Sequence, residues 1–170
     1  MAYSRPEPLR GKHDFDGFNC GEESLDSWLH RSSRHAEAAS SARVFVTTDG
    51  THVVGYYALA AGQVEAKDGT ARLVKGQPRG KPIPVAILAR LAVDEGHQSE
   101  GIGRSLLQDA LLRGAEAAQA VGMRAFLVHA HGEAQGFYLR FGFEPSPTDP
   151  LHLILLMKDV SRFLEEAGEK

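Results

Sequence analysis

One cysteine, Cys20, stands among the 170 residues. A lone thiol excludes an internal disulfide and any multi-cysteine metal site, and Cys20 reads as a small packing residue rather than a nucleophile. Long apolar runs are missing as well. No stretch of about 18 apolar residues occurs, so hydropathy gives no membrane span. The opening "MAYSRPEPLRGKHDF" has no apolar segment of the signal-peptide type, and a cytoplasmic location is the expectation. Excess charge is scarce: 22 acidic and 19 basic side chains leave a net charge of −3, which by itself says little about partners. Repeats and low-complexity tracts are absent. Two phosphate-binding patterns are excluded too. The Walker pattern needs Gly-Lys-Ser/Thr where this chain has Gly103-Arg104-Ser105, and the Rossmann fingerprint needs a third glycine where it has Leu106.

What is present fits one globular domain over residues 1–170, with 42% hydrophobic residues to build its core. Leu25, Trp28 and Leu29 fall at i, i+3, i+4, predicting a helix over 20–39 with Trp28 as its core anchor. Glu22, Glu23 and Asp26 lie at its start, where the helix dipole favours acids. "ARVFVTT" (42–48) reads as a strand, Asp49-Gly50 as a two-residue hairpin turn, and "HVVGYYALAAGQVEA" as a long returning strand. Gly55 and Gly62 in it point to bulges or close backbone approach. Residues 67–82 read as a long loop. "PVAILARLAVD" (84–94) is apolar enough for a strand buried on both faces. A helix is expected over 103–121, with Leu106, Leu107, Ala110, Leu111, Ala118 and Val121 facing the core and Gly122 ending it. "RAFLVHA" reads as a strand, "GEAQGFYLRFGF" as a short helix ended by Gly142, "LHLILLMK" (151–158) as a last strand and "DVSRFLEEAGEK" as a terminal helix. Strands alternating with helices in the second half argue for an α/β chain with a mixed sheet flanked by helices.

The junction "VDEGHQSEGIGRSLL" (93–107) carries the chemistry. A buried strand gives way to a glycine loop and then at once to a helix. The first N–H groups of a helix have no partner within it, and the dipole adds positive charge there. Gly101 and Gly103 lack Cβ atoms, so an anion can approach the main chain, and Arg104 adds a charge. Gln98-Ser99-Glu100-Gly101-Ile102-Gly103-Arg104-Ser105 therefore suits a phosphate or diphosphate. A second feature is charge distribution. Between Lys67 and Arg90 lie six basic residues and one acid, a local +5 that reads either as a solvated loop or as a rim meeting phosphates. Arg34 and Arg43 could extend that surface. His129 and His131 share a strand face at i and i+2, but no third metal ligand is evident and no metal is expected.

"LARLAVDEGHQSEGIGRSLLQDAL" resembles the acetyl-CoA-binding core of the GNAT N-acetyltransferases, whose Arg/Gln-x-x-Gly-x-Gly/Ala pattern is met by Gln98, Gly101 and Gly103. "EAQGFYLRFGF" is similar to the same family's Ala-x-x-Phe-Tyr-x-x-x-Gly-Phe pattern. "FNCGEESLDSWLH", "GYYALAAGQV", "PIPVAILARLAVD" and "GFYLRFGFEP" together resemble the TacT/AtaT-like GNAT toxins of toxin–antitoxin modules. The resemblance implies a GNAT fold, with a central mixed sheet whose two parallel strands splay apart to admit the cofactor. It implies acetyl-CoA held by the main chain of Leu91, Ala92 and Val93, by residues 98–105 and beside Phe137. One strand N–H would hold the developing oxyanion, and Tyr138 would be the general acid that protonates the departing thiolate. The acceptor implied is the α-amino group of an aminoacyl-tRNA, with Lys75, Arg79, Lys81 and Arg90 on the tRNA side. The partners implied are a ribbon-helix-helix antitoxin and a second copy of the chain in a homodimer.

Departures from the family are visible. Ser99 and Glu100 stand where relatives often have glycine and a basic residue, and His131 where many have asparagine. No general base stands out; Asp94 and Glu95 are the candidates. An α-amine, with pKa about 7.7–8.0 or below, needs no dedicated base, unlike a lysine near 10.4. A protein N-terminus, a lysine, a small amine, or a non-catalytic module that binds CoA and a protein partner remain as alternatives.

Overall fold

The computed structural model describes residues 2–168 of the chain; the last two residues of the expected terminal helix lie outside them. Seven strands, β1 Glu7–Pro8, β2 Arg43–Asp49, β3 His52–Val64, β4 Ile83–Val93, β5 Ala125–His129, β6 Glu144–Pro145 and β7 His152–Leu156, follow the sheet order β1-β2-β3-β4-β5-β7-β6. Six α-helices accompany them: α1 Glu23–Arg31, α2 Ser33–Ala38, α3 Ala71–Val74, α4 Ile102–Ala118, α5 Gln135–Arg140 and α6 Met157–Gly168. The chain forms two compact units, the first made of residues up to Ala60 with Ala89–Ala110, the second of Ala61–Leu88 with the residues from Leu111 on.

In the first unit β2 and β3 pair antiparallel from Arg43↔Leu59 to Asp49↔His52, and β1 adds to the β2 edge. Because Asp49 still pairs, the turn is Gly50-Thr51, one residue later than expected, with Gly50 at φ +67° where a side chain would be strained. The register shifts between Thr47 and Thr48, a bulge just beside Gly55. A Cβ on Gly55 would lie 3.0 Å from both Ile102 Cγ2 and Leu106 Cδ1. That glycine lets the start of α4 seat against the strand. Leu29, Val44, Val46, Val53, Tyr56 and Ala92 form the core, with Leu25 and Trp28 packed on it. The single helix expected over 20–39 is two. The Ser33 hydroxyl donates to Leu29 O at 2.6 Å, and the chain breaks at Ser32, the local competition with helix geometry that serine offers.

In the second unit β4 pairs parallel with β5 over Val85–Leu88 and Ala125–Val128, and β5 pairs antiparallel with β7. Leu73, Ile83, Val85, Ala125, Leu127, Ile154 and Leu156 form its core. The stretch expected to be a long loop contains α3, capped by the Thr70 side chain accepting from Leu73 N, with Leu73 fully buried. Gly62 allows close approach, since a Cβ there would meet Ile87. Helix α4 stops at Ala118, not at Gly122, because Gln119 and Ala120 turn their N–H groups to Glu116 and Ala117 carbonyls in a tightened last turn. Val121, expected in the core, lies beyond that end and is 62% exposed. The last strand ends at Leu156, where Met157 opens α6 and donates to Arg124 O at 3.0 Å.

Candidate active site

Strand β4 leaves its sheet at Val93 through a stitched turn. Asp94 donates its N–H to Val54 O at 2.8 Å, and its carboxylate accepts from Asn19 N at 2.9 Å and Gly96 N at 3.1 Å. Glu95 N donates to Asn19 O at 2.8 Å. Gln98 Nε2 donates to Val93 O at 2.9 Å and Cys20 O at 3.3 Å. The side chain of Gln98 thus holds the loop's entry, and only its main chain can face a ligand. Ala92 is buried, while Leu91 and Val93 alternate with it and remain half-buried, so this end of β4 offers main chain.

Beyond Gln98 the loop is exposed. Ser99 lies at φ +68° and Gly101 at φ +83°, in the left-handed region that favours glycine. A Cβ at Gly101 would meet nothing within 4 Å. Ile102 is buried as the first residue of α4, and the first helical bond there is Ser105 N–H to Gly101 O at 3.1 Å. Ile102 and Gly103 therefore point their N–H groups out of the helix. Arg104 and Ser105 are exposed. The arrangement fits a diphosphate: open space, bare donors and a helix of 17 residues behind them. Glu100, which would oppose an anion, is hydrogen-bonded by the Tyr3 hydroxyl.

In the second unit Tyr138 sits on α5, with its ring 5.1 Å from Phe137 and 5.5 Å from Phe143. It is 5% exposed. Burial alone pushes its phenol up, so it is a proton donor across the physiological range. Gly142 at φ +89° makes the turn after α5.

The expected basic group divides between the units. Lys75, Arg79 and Lys81 are exposed and unpaired among the described residues of the second unit. Arg72 is bound bidentately by Asp159 at 2.8 and 3.1 Å, with Glu144 at 3.7 Å. Arg90 belongs to the first unit, its guanidinium 5.2 Å from the Trp28 ring, which stacks on Tyr56. Arg34 and Arg43 hold structure: Arg34 donates to Arg10 and His13 carbonyls, and Arg43 pairs with Glu37 at 2.9 Å. His129 stacks on His152, ring centroids 4.0 Å apart, while His131 lies past the strand end. Both stacked rings line a cavity of about 400 Å³ together with Glu65, Asp68 and Asp149. No group of three metal-ligating side chains exists among the described residues. Cys20 is half-buried, and burial, with the nearby Asp26, pushes its thiol up to about 12, which leaves it inert as a nucleophile.

A family profile described as an acetyltransferase (GNAT) domain matches residues 40–145. The chain belongs to the GNAT acetyltransferase family. This GNAT enzyme is 47% identical to the tRNA-acetylating toxin of Mycobacterium tuberculosis over 93% of its own length and 95% of that protein. Its fold is similar to that of AtaT complexed with acetyl-methionyl-tRNAfMet, with a TM-score of 0.85, 27% identity and coverage of 95% and 98% of the two chains. It is also similar to a tyrosine-to-phenylalanine mutant of AtaT bound to acetyl-CoA and the C-terminus of the antitoxin AtaR, with a TM-score of 0.78, 26% identity and 94% and 96% coverage. Of the GNAT enzyme's features, sequence reasoning missed Tyr3 and Asn19, whose contacts with the loop cross more than seventy residues of chain. The Asp94-x-Gly96 turn was missed as well, although its spacing carried a signal: an aspartate two residues before a glycine can close a turn with its own side chain.

Proposed function

We propose that this GNAT acetyltransferase carries the acetyl group of acetyl-CoA to the α-amino group of an aminoacyl-tRNA, and inhibits translation as the toxin of a toxin–antitoxin pair. The observation that carries the proposal is the 47% identity, over nearly the full length of both chains, with a tRNA-acetylating toxin, joined to a main-chain cradle of the right chemistry in this chain. When bound, acetyl-CoA supplies the thioester that the amine attacks. The main chain of Gln98, Ser99, Glu100, Gly101, Ile102, Gly103, Arg104 and Ser105 would hold the diphosphate. The exposed main chain at Leu91, Ala92 and Val93 would line the pantetheine, and Phe137 would lie beside it. Residues 1–170 then act as one GNAT domain, a reading supported by a family match that takes in residues of both units.

Tyr138 Oη would supply the proton to the departing sulfur, and the proton lost by the attacking nitrogen would restore the phenol by way of solvent. Its raised pKa keeps that proton available at every working pH. Both carboxylate oxygens of Asp94 already accept main-chain N–H groups, which ties that candidate base to the turn. This supports an acceptor that needs no dedicated base. An α-amine with pKa of about 7.7 is neutral in roughly one molecule in six at pH 7, and esterification to tRNA lowers the pKa and raises that fraction. Lys75, Arg79, Lys81 and Arg90 would meet tRNA phosphates. The partner is a ribbon-helix-helix antitoxin, supported by the AtaT–AtaR structure, and a homodimer is the expected assembly. No described helix is long and apolar enough to cross a membrane, and a charged-tRNA substrate would be met in the cytoplasm, the expected location. The test is incubation with labelled acetyl-CoA and total charged tRNA. The label is expected on N-acetyl-aminoacyl esters, and label confined to protein or small amines would overturn the proposal.

A further inference from the structure

The loop that would hold the diphosphate carries a carboxylate in its middle. Glu100 lies between Ser99 at φ +68° and Gly101 at φ +83°, where a free negative charge would repel the anion the main chain attracts. The structure gives that charge a partner from the far end of the chain. The Tyr3 hydroxyl donates to Glu100 Oε2 and lies 2.9 Å from His97 Nδ1. A phenol has one proton, so with that proton on Glu100 the His97 contact requires Nδ1–H to donate to the Tyr3 oxygen. The Tyr3 and His97 rings meet edge to face at 5.6 Å and 85°. Tyr3 is itself fixed by main chain: it bridges Asp49, and Ser4 N donates to Thr48 O at 2.8 Å while Ser4 Oγ accepts from Thr48 N at 3.0 Å.

We propose that Tyr3 is a positioning residue for the acetyl-CoA loop, a latch that captures the Glu100 carboxylate and keeps its charge off the diphosphate-holding main chain. The proposal rests on the acetyl-CoA reading of that loop. It makes the first residues of the chain part of the donor site, although they touch no donor atom. It also explains how glutamate is tolerated at a position where repulsion would otherwise weaken binding. An exposed charge interaction of this kind moves affinity roughly two- to fivefold at low salt, and less as salt screens it.

The test is a double-mutant cycle on the full chain, with CoA itself as the probe in titration calorimetry. Tyr3→Phe keeps the ring against His97 and releases Glu100. It is expected to weaken CoA binding by about two- to fivefold, with the KM for acetyl-CoA rising by the same factor and kcat carrying none of it. Glu100→Gln in the presence of Tyr3 is expected to change CoA affinity less than about twofold, because the latched charge is already occupied. The double variant is expected to return to the Glu100→Gln value. A Tyr3→Phe loss that persists undiminished in the Glu100→Gln background would overturn the latch, as would equal CoA affinity in wild type and Tyr3→Phe. If Tyr3→Phe does not fold, Glu100→Gln alone decides: a several-fold gain in affinity would show the carboxylate facing the ligand. Absence of any CoA binding by the wild type would overturn the acetyl-CoA reading as well, and so separates the two failures.

Discussion

Tyr138→Phe separates chemistry from packing more cleanly than any other change in this chain. The hydroxyl lies on a residue that is 5% exposed and whose ionisation is shifted by burial alone; among the described residues no group hydrogen-bonds it. Removing it leaves no partner unsatisfied, and the ring's contacts with Phe137 and Phe143 survive in phenylalanine. An unpaired buried hydroxyl costs about 1–3 kcal/mol, but this one retains some solvent access. Folding stability is therefore expected to stay level or rise by up to about 1 kcal/mol, a melting shift of roughly 0 to +4 °C for a chain of this size. Turnover is expected to move the other way. Loss of a positioned general acid costs about 10²–10⁴-fold, equivalent to roughly 2.7–5.4 kcal/mol of barrier. The assay is acetyl transfer at saturating acetyl-CoA alongside calorimetric melting of the same preparation, with CoA affinity measured separately. Because the wild-type phenol is raised, its rate should show no alkaline decline up to about pH 10. Turnover within about threefold of wild type would remove Tyr138 from the chemistry. A clear fall in melting temperature would show that the hydroxyl has a structural partner after all.

Three further outcomes are expected. Ser99→Gly releases a non-glycine residue from φ +68°; the left-handed penalty of about 1–2 kcal/mol exceeds glycine's extra chain entropy of about 0.5–1 kcal/mol, so calorimetry should show a net gain near 0.5 kcal/mol or more, and a loss would mean the serine hydroxyl does something unseen. Neutralising Lys75, Arg79 and Lys81 together should flatten the plot of log tRNA affinity against log salt by about 2 to 3; an unchanged slope would put the RNA elsewhere. Asp159→Asn breaks the ion pair with Arg72, which holds the Asp159 carboxyl below its usual range. A depressed carboxylate stabilises the fold above its ordinary pKa and loses that contribution as pH falls through the depressed value. The variant should thus be less stable by about 0.5 kcal/mol near neutrality, given that both side chains are part-exposed, and its urea denaturation curve should converge with wild type as pH falls through the depressed value; a constant gap at all pH would show the effect is not the charge.

Patterns that repeat along one element were legible in the sequence. The strand periods of 42–48, 52–66 and 84–94, the apolar stripe of α4 and the glycine after α5 all stand in the structure within a residue or two. Errors came where a tertiary contact outweighed a local signal. Asp49-Gly50 looks like a turn, but Asp49 keeps its ladder partner His52 and the turn moves on by one. Val121 fits the helical stripe, yet the helix has already tightened and closed. The stretch 67–82 looked like loop because of its glycines and prolines. Leu73, buried completely under a four-residue helix, was the apolar residue that argued otherwise.

The site divides along the same line, and the division follows from what carries each function. An anion cradle is made of main chain, so its sequence signature is the lack of side chains at Gly101 and Gly103 together with a strand before and a helix after; such a signature survives without knowledge of the fold. Side-chain control of that cradle has no such signature. Gln98 matches the family pattern by type, but its amide is spent on Val93 and Cys20 carbonyls. Asp94 was one of two candidate bases, and its carboxylate closes the turn. Tyr3 touches the loop across more than ninety residues of chain. In the proposed donor site each of these side chains would act by fixing where bare N–H groups point, with no need to touch the donor. Substitutions at Gln98, Asp94 or Asn19 are accordingly expected to raise the KM for acetyl-CoA before they lower kcat, the opposite split from Tyr138. A set of variants in which the turn residues lowered kcat with KM unchanged would mean that the cradle is rigid without them, and that its shape is set by the glycines alone.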